Sequence, residues 1–196
     1  MPSPIMHTTM GYMVYRVFQP EPSRANLRKL GQVPILLIFS ILVSMLPDVD
    51  SVFGILAGDF GRFHNNATHS LIVGLLVALS MGGVAGLIST YSFRMIFLVT
   101  LFGYAAHILL DFFTIGRGVM ALWPLSQERF VSPLPVFYGL HWSDGLFSTR
   151  HVWTFLTESA TAALFILVIH YLTSRNWRGS NLRGETRIVT GSSKER

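Results

Sequence analysis

The chain has no cysteine. Disulfides and thiolate metal sites are therefore excluded, and imidazole and carboxylate are the protein groups left to hold a metal ion. Charge is scarce as well. Asp, Glu, Lys and Arg make up 13% of 196 residues against 51% hydrophobic ones, too apolar a mixture for an ordinary water-soluble domain. The opening MPSPIMHTTM has neither a basic nor an apolar leader region, so no cleavable signal peptide is expected and the first apolar span is expected to act as an uncleaved one. HExxH and GxSxG are missing, which argues against an intramembrane protease. No basic patch interleaves aromatics, and no nucleic-acid partner is expected.

What the chain does have is long hydrophobic runs. Roughly Leu30–Leu46, Leu71–Ser89, Phe93–Phe113 and Val152–Leu172 approach or reach the ~20 residues that cross a hydrocarbon core of ~30 Å. The expected fold is all-α: an integral membrane helical bundle of about four spans, preceded by an N-terminal amphipathic helix. Residues 1–174 form the membrane domain. Residues 175–196, basic and rich in Gly and Ser, are expected to be a disordered tail, and membrane lipids are the expected partners. Gly82 and Gly86, and the small residues Ser159, Ala160, Ala162 and Ala163, suit close helix packing in a bilayer. Trp123, Trp142 and Trp153 suit the lipid interface.

Sorting the cations by loop gives Arg16, Arg24, Arg28, Lys29, Arg94, Arg175, Arg178, Arg183, Arg187, Lys194 and Arg196 on one side, and Arg62, Arg117, Arg129 and Arg150 on the other. The positive-inside rule then puts both termini in the cytoplasm and the two longer loops outside.

Against this apolar background three polar clusters stand out. LPDVDS carries Asp48 and Asp50 just beyond the first span, where Pro47 is expected to end or bend the helix. Two acids two residues apart in an extended segment would point in opposite directions, one toward a metal and the other toward a histidine it orients. HNNATHSL carries His64 and His69, with Thr68 or Asn66 expected to cap the following helix. GYAAHILLDFF carries His107 and Asp111 four residues apart inside a span, hence on one helix face with Gly103. An acid within a span is costly and needs a partner. Topology brings all three clusters to one membrane face, so a shared site of His and carboxylate ligands is expected there. Such a set suits Zn²⁺, or Mn²⁺ and Fe²⁺ where carboxylates dominate. Glu158 is a further intramembrane acid. His141, Asp144 and His151 are loop candidates on the same side, and His170, at the other end of the last span, reads as interfacial.

These segments, with His7 and LWPLS at Trp123–Ser126, resemble the YdjM-like family of membrane-bound metal-dependent hydrolases, itself similar to zinc-dependent phospholipase C and related nucleases. The resemblance implies metal ligation by His7, Asp48 or Asp50, His69, His107 and Asp111, with His64 nearby. It also implies hydrolysis of a phosphoester or lipid-like substrate, the unligated one of Asp48 and Asp50 acting as general base. Asn65 stands where the family commonly has arginine, which removes a cation that could meet a phosphate. Glu158 lacks the histidine four residues earlier that would complete an HxxxE pattern. His7 raises a conflict: cation sorting puts the N-terminus inside, yet a ligand must reach an outer site. Either His7 is no ligand or the N-terminus lies outside, and the ligand assignment is favoured. The alternative from another class is a metal-binding or purely structural membrane bundle without catalysis. Transport is disfavoured because the inner halves of the spans are almost wholly apolar.

Overall fold

The computed structural model describes residues 2–18, 35–58, 63–88, 91–140 and 148–192, with side chains of the last helix described as far as Thr173. The described residues form helices α1 (Pro4–Phe18), α2 (Ile35–Met45), α3 (Val49–Leu56), α4 (Leu71–Ile88), α5 (Phe93–Phe112) and α6 (Arg150–Ser192), with single 3₁₀ turns at Leu46–Asp48 and Ala67–His69. Among them the 113–140 segment is held by two isolated bridges, Thr114 with Phe137 and Val119 with Phe130, and there is no strand. Ile35–Leu56, Phe93–Phe112 and His151–Thr173 are long and apolar enough to cross a membrane, and Leu71–Leu87 is a shorter apolar helix. The all-helical membrane bundle is as expected.

Two local expectations are corrected. The first span does not stop before LPDVDS: the run stays helical through Pro47 to Leu56. Pro47 occupies the opening of the 3₁₀ turn, where its missing N–H removes no bond the helix needs. The helix after HNNATHS is capped by neither Thr68 nor Asn66. It starts at Leu71, and Ser70 Oγ accepts from the Ile72 N–H at 3.1 Å. At the C-terminal end, α6 continues as helix to Ser192, through residues 175–192 of the segment whose composition suggests a disordered tail. The side chains there lie outside the described residues.

The N-terminal helix brings His7 to the end of the bundle that holds the polar clusters. α1 packs antiparallel to α2 and parallel to α6. The Ser3 N–H donates to Glu158 Oε2 at 2.7 Å at one end, and Arg16 Nη2 donates to Thr173 Oγ1 at 2.7 Å at the other. Fifteen residues rise about 22 Å, less than a bilayer core, yet Met6, His7, Thr9, Gly11 and Tyr15 are buried in protein. The described N-terminal residues and Thr173 therefore lie at opposite ends of the bundle, and the expectation that both termini share a face is corrected. The sequence concealed this traverse because α1 is short and carries Thr, Tyr and Arg.

Close approach makes α1 part of the core. A Cβ on Gly11 would meet Ile41 Cα and Ser44 Oγ at 2.6 Å, and Ser40 Oγ donates to Gly11 O at 2.7 Å. Gly82 lies against Phe93 and Phe97, Gly86 against Phe93, and Gly103 against Val43, so the glycines of the spans serve packing as expected, whereas Ser159, Ala160 and Ala163 of α6 are exposed and the small face expected there is corrected. Ala162 is buried with Met6, Leu110 and Phe137. At the end remote from the polar clusters, Tyr15, Leu36, Ala85, Ile96 and Val99 form an apolar core.

Candidate metal centre

Each polar cluster is delivered by a different element. α1 supplies His7, the 3₁₀ turn Asp48, the first turn of α3 Asp50, the loop before α4 His64 and His69, and the last turns of α5 His107 and Asp111. Asp48 and Asp50, expected in an extended segment, instead lie two residues apart on a helical run, and both face the histidines.

The centre is tight. His69 Nε2 lies 3.0 Å from Asp111 Oδ2, 3.6 Å from Asp48 Oδ1 and 3.2 Å from His107 Nε2. His107 Nε2 lies 3.5 Å from Asp48 Oδ1 and 3.7 Å from Asp111 Oδ2. His7 Nε2 approaches Asp48 Oδ2 at 3.8 Å and Asp111 Oδ1 at 3.9 Å, and its ring stacks on His107 with centroids 3.8 Å apart. One ligand atom from each of Asp48, His69, His107 and Asp111 fits within a 4.8 Å span, a group that does not include His7.

His7 Nε2, Asp48 Oδ1 and both Asp111 oxygens are buried without a hydrogen-bond partner among the described residues. Acceptors buried in this state are expensive. A divalent cation is the group that satisfies converging carboxylate oxygens and imidazole nitrogens together, so the residues fit a metal.

The surrounding groups fix which nitrogens face inward. His107 Nδ1–H donates to the Ser44 carbonyl at 2.7 Å, which leaves Nε2 as the lone pair turned to the centre. His69 Nδ1 lies 3.2 Å from Asp50 Oδ2, so Asp50 orients His69 as carboxylates do for metal-bound histidines. Asp50 also takes the Thr68 hydroxyl at 2.5 Å and faces His64 Nδ1 at 3.2 Å. Asp50, His64 and His69 make a second group able to hold an ion. Burial would lower the pKa of His69, but the surrounding Asp111, Asp48 and Asp50 carboxylates outweigh it and hold the imidazole well above its ordinary 6.5.

Not every candidate joins. Glu158 is fully buried, but it belongs to neither ligand group and holds the Ser3 amide instead. His151 is buried at the start of α6 and is also in neither group. His141, Trp142 and Asp144 lie outside the described residues. His170 sits at the far end, 3.3 Å from Arg16 Nη1.

Several supports escaped sequence reading. Ser44 not only holds His107 through its carbonyl but donates through Oγ to His7 O at 2.7 Å; the signal available was a pair of serines, Ser40 and Ser44, one helical turn apart in an apolar span. Ser70 Oγ donates to Trp123 O at 2.6 Å, which ties LWPLS to the His69 turn. Asn65 takes a left-handed conformation with φ of 59°, and two arginines brace its turn. Arg129 donates to Asn65 O at 3.0 Å and to Asn66 Oδ1 at 2.5 Å, and Arg117 donates to His64 O. Burial and the nearby Arg117 guanidinium pull the pKa of Arg129 below its usual value.

Comparison with known proteins agrees with the apolar character of these helices. A family model described as "YdjM inner membrane protein" matches residues 1–180. The chain belongs to the YdjM family. Among YdjM-like relatives, inner membrane protein YbcI of Escherichia coli (strain K12) is 39% identical over 114 residues, which cover 53% of this chain and 61% of YbcI. The chain thus spans less than two thirds of that relative. No solved structure matches. Family membership together with three span-length apolar helices makes this a membrane protein.

Proposed function

We propose that the chain is a membrane-bound metal-dependent hydrolase, with His7, Asp48, His69, His107 and Asp111 as ligands and a phosphoester or similar lipid-like ester as substrate. The observation that carries this reading is the convergence of His7 Nε2, Asp48 Oδ1 and both Asp111 oxygens, buried and unpartnered, on the Nε2 atoms of His69 and His107. Three nitrogens and two carboxylates suit zinc, with manganese or iron as alternatives. When bound, such an ion supplies Lewis acidity and makes water nucleophilic near neutral pH.

The chain's own residues do the rest. Ser44 and Asp50 hold His107 and His69 in the required tautomers. The Asp48 side chain is 16% exposed against 6% for Asp50 and 0% for Asp111, so substrate approaches on the Asp48 and His64 side. Asp50, or Asp48 where it is not ligated, takes the proton from the attacking water. Sorting of the cations supports a site on the outer face: eleven of the fifteen Lys and Arg fall in segments attached to helix ends remote from the centre.

The second reading, a metal-binding or structural bundle without hydrolysis, is favoured by how closed the cluster is. Elemental mass spectrometry of the detergent-purified chain, beside His107→Ala and Asp111→Asn, separates the two. The hydrolase reading expects at least one zinc, manganese or iron per chain, its loss in both folded variants, and phosphoester cleavage that chelation stops. A wild type that stays metal-free after metal addition would reduce the cluster to a structural network. Bound metal with no cleavage of any phosphoester would leave a metal-binding bundle.

A further inference from the structure

A groove of about 580 Å³, lined only by apolar side chains, runs between α5 and the 119–130 segment; Phe102, Ala105, Ala106 and Leu109 form its floor, and Val119 and Phe130 its roof. It lies on the face of α5 opposite His107 and Asp111, where Phe102 is 52% and Leu109 56% exposed. In a bilayer that face meets hydrocarbon, so the natural occupant is an acyl chain.

The roof carries charge on its other side. Val119 and Phe130 exchange both backbone hydrogen bonds, at 3.0 and 2.9 Å, and neighbouring residues of such a pair point to opposite faces. Phe130 enters the groove and Arg129 points to the Asn65–Asn66 turn beside His64, although their Cα atoms are only about 3.8 Å apart. The acceptors of Arg129 among the described residues are all neutral: Asn65 O, Asn66 Oδ1 and Gly118 O. Arg117 stands close by on the same turn, donating to His64 O. A half-buried guanidinium with a cation beside it and only neutral acceptors is an electrostatic match for a phosphate.

We propose that this ribbon binds an anionic phospholipid, with one acyl chain in the groove below and the phosphate on Arg129 above, next to the metal centre. The proposal deepens the hydrolase reading by naming its substrate class, and it rests on that reading for catalysis though not for binding. It also supplies the cation that Asn65 does not.

The full chain in detergent, mixed with phosphatidylglycerol or with phosphatidylcholine of the same acyl chains, is examined by native mass spectrometry, and its metal content is measured on the same samples. Wild type is expected to retain one phosphatidylglycerol per chain with at least about tenfold preference over phosphatidylcholine. Arg129→Gln should bring the two lipids to parity, and Ala106→Trp, which fills the groove, should lose both. Equal retention of the two lipids by wild type, or unchanged preference in Arg129→Gln, overturns the proposal, and the latter decides even if the tryptophan variant does not fold. Normal metal without lipid preference sinks only the lipid seat, whereas lipid preference in a chain that never binds metal sinks only the hydrolase.

Discussion

The two ends of this bundle are built on different principles. The remote end is an apolar core of Tyr15, Leu36, Ala85, Ile96 and Val99, packed by shape in a medium as apolar as itself and edged by the Arg16–Thr173 hydrogen bond. The opposite end gathers His7, His64, His69, His107, Asp50 and Asp111, every one buried, at a single depth. A structural network has no need to be so one-sided, and a transport path would run from end to end. The contrast teaches that the spans serve as posts for one polar chamber.

The largest effect should come where the two principles meet. Gly11→Leu puts a side chain where even a Cβ falls 2.6 Å from Ile41 Cα, so α1 must move and take His7 with it. A loss of about 3 kcal/mol or more, together with lost metal binding, is expected in denaturation and elemental assays. Retained metal would show that His7 is dispensable. Next comes Asp50→Asn, which leaves the five proposed ligands in place but weakens the hold on His69. Metal affinity should fall about 10- to 100-fold in competition with a chelating dye, and an unchanged affinity would move Asp50 out of the supporting shell.

The pH dependence should run in opposite directions with and without metal. The His69 pKa is raised by its carboxylates, so in metal-free protein the imidazolium stabilises the fold fully below its unfolded pKa near 6.5. That contribution fades as pH rises through the higher folded value. Metal must displace the same proton, so its affinity should rise across that window by up to about tenfold per pH unit. Melting curves and dye titrations from pH 6 upward test both slopes, and Asp50→Asn should shift the window down. The smallest effect belongs to the remote end. Ile96→Val should cost less than about 1 kcal/mol, with metal content untouched; a loss of metal there would mean that the two ends are not independent.

Much of the chamber was legible in the residues. His107 and Asp111 share a face by spacing alone, and HNNATHS and LPDVD arrive at the same depth once the spans are counted. His7 was not legible in that way. Its helix is too short and too polar for a hydropathy window, and only a family resemblance singled it out before packing against α2 and α6 showed why it can be buried. The geometry of Asp48 and Asp50 is not legible in the residues because a proline after an apolar run ordinarily marks a helix end, whereas Pro47 opens a 3₁₀ turn. Arg117 and Arg129 counted only as loop charges because their contact with the His64 turn spans more than fifty residues of chain.

That 3₁₀ turn has one more effect. In an ordinary α-helix each carbonyl is claimed by the amide four residues on, and a greasy helix has no other acceptor to lend. Across Leu46–Asp48 the step shortens to three, so the amide of Asp48 turns to Met45 and the carbonyl of Ser44 is released to His107. A change of pitch over one turn thereby sets the protonation pattern of an imidazole on a neighbouring helix. Pro47→Ala would leave every polar side chain of the chamber in the sequence, yet it would let the helix reclaim that oxygen and free His107 to turn the wrong nitrogen inward.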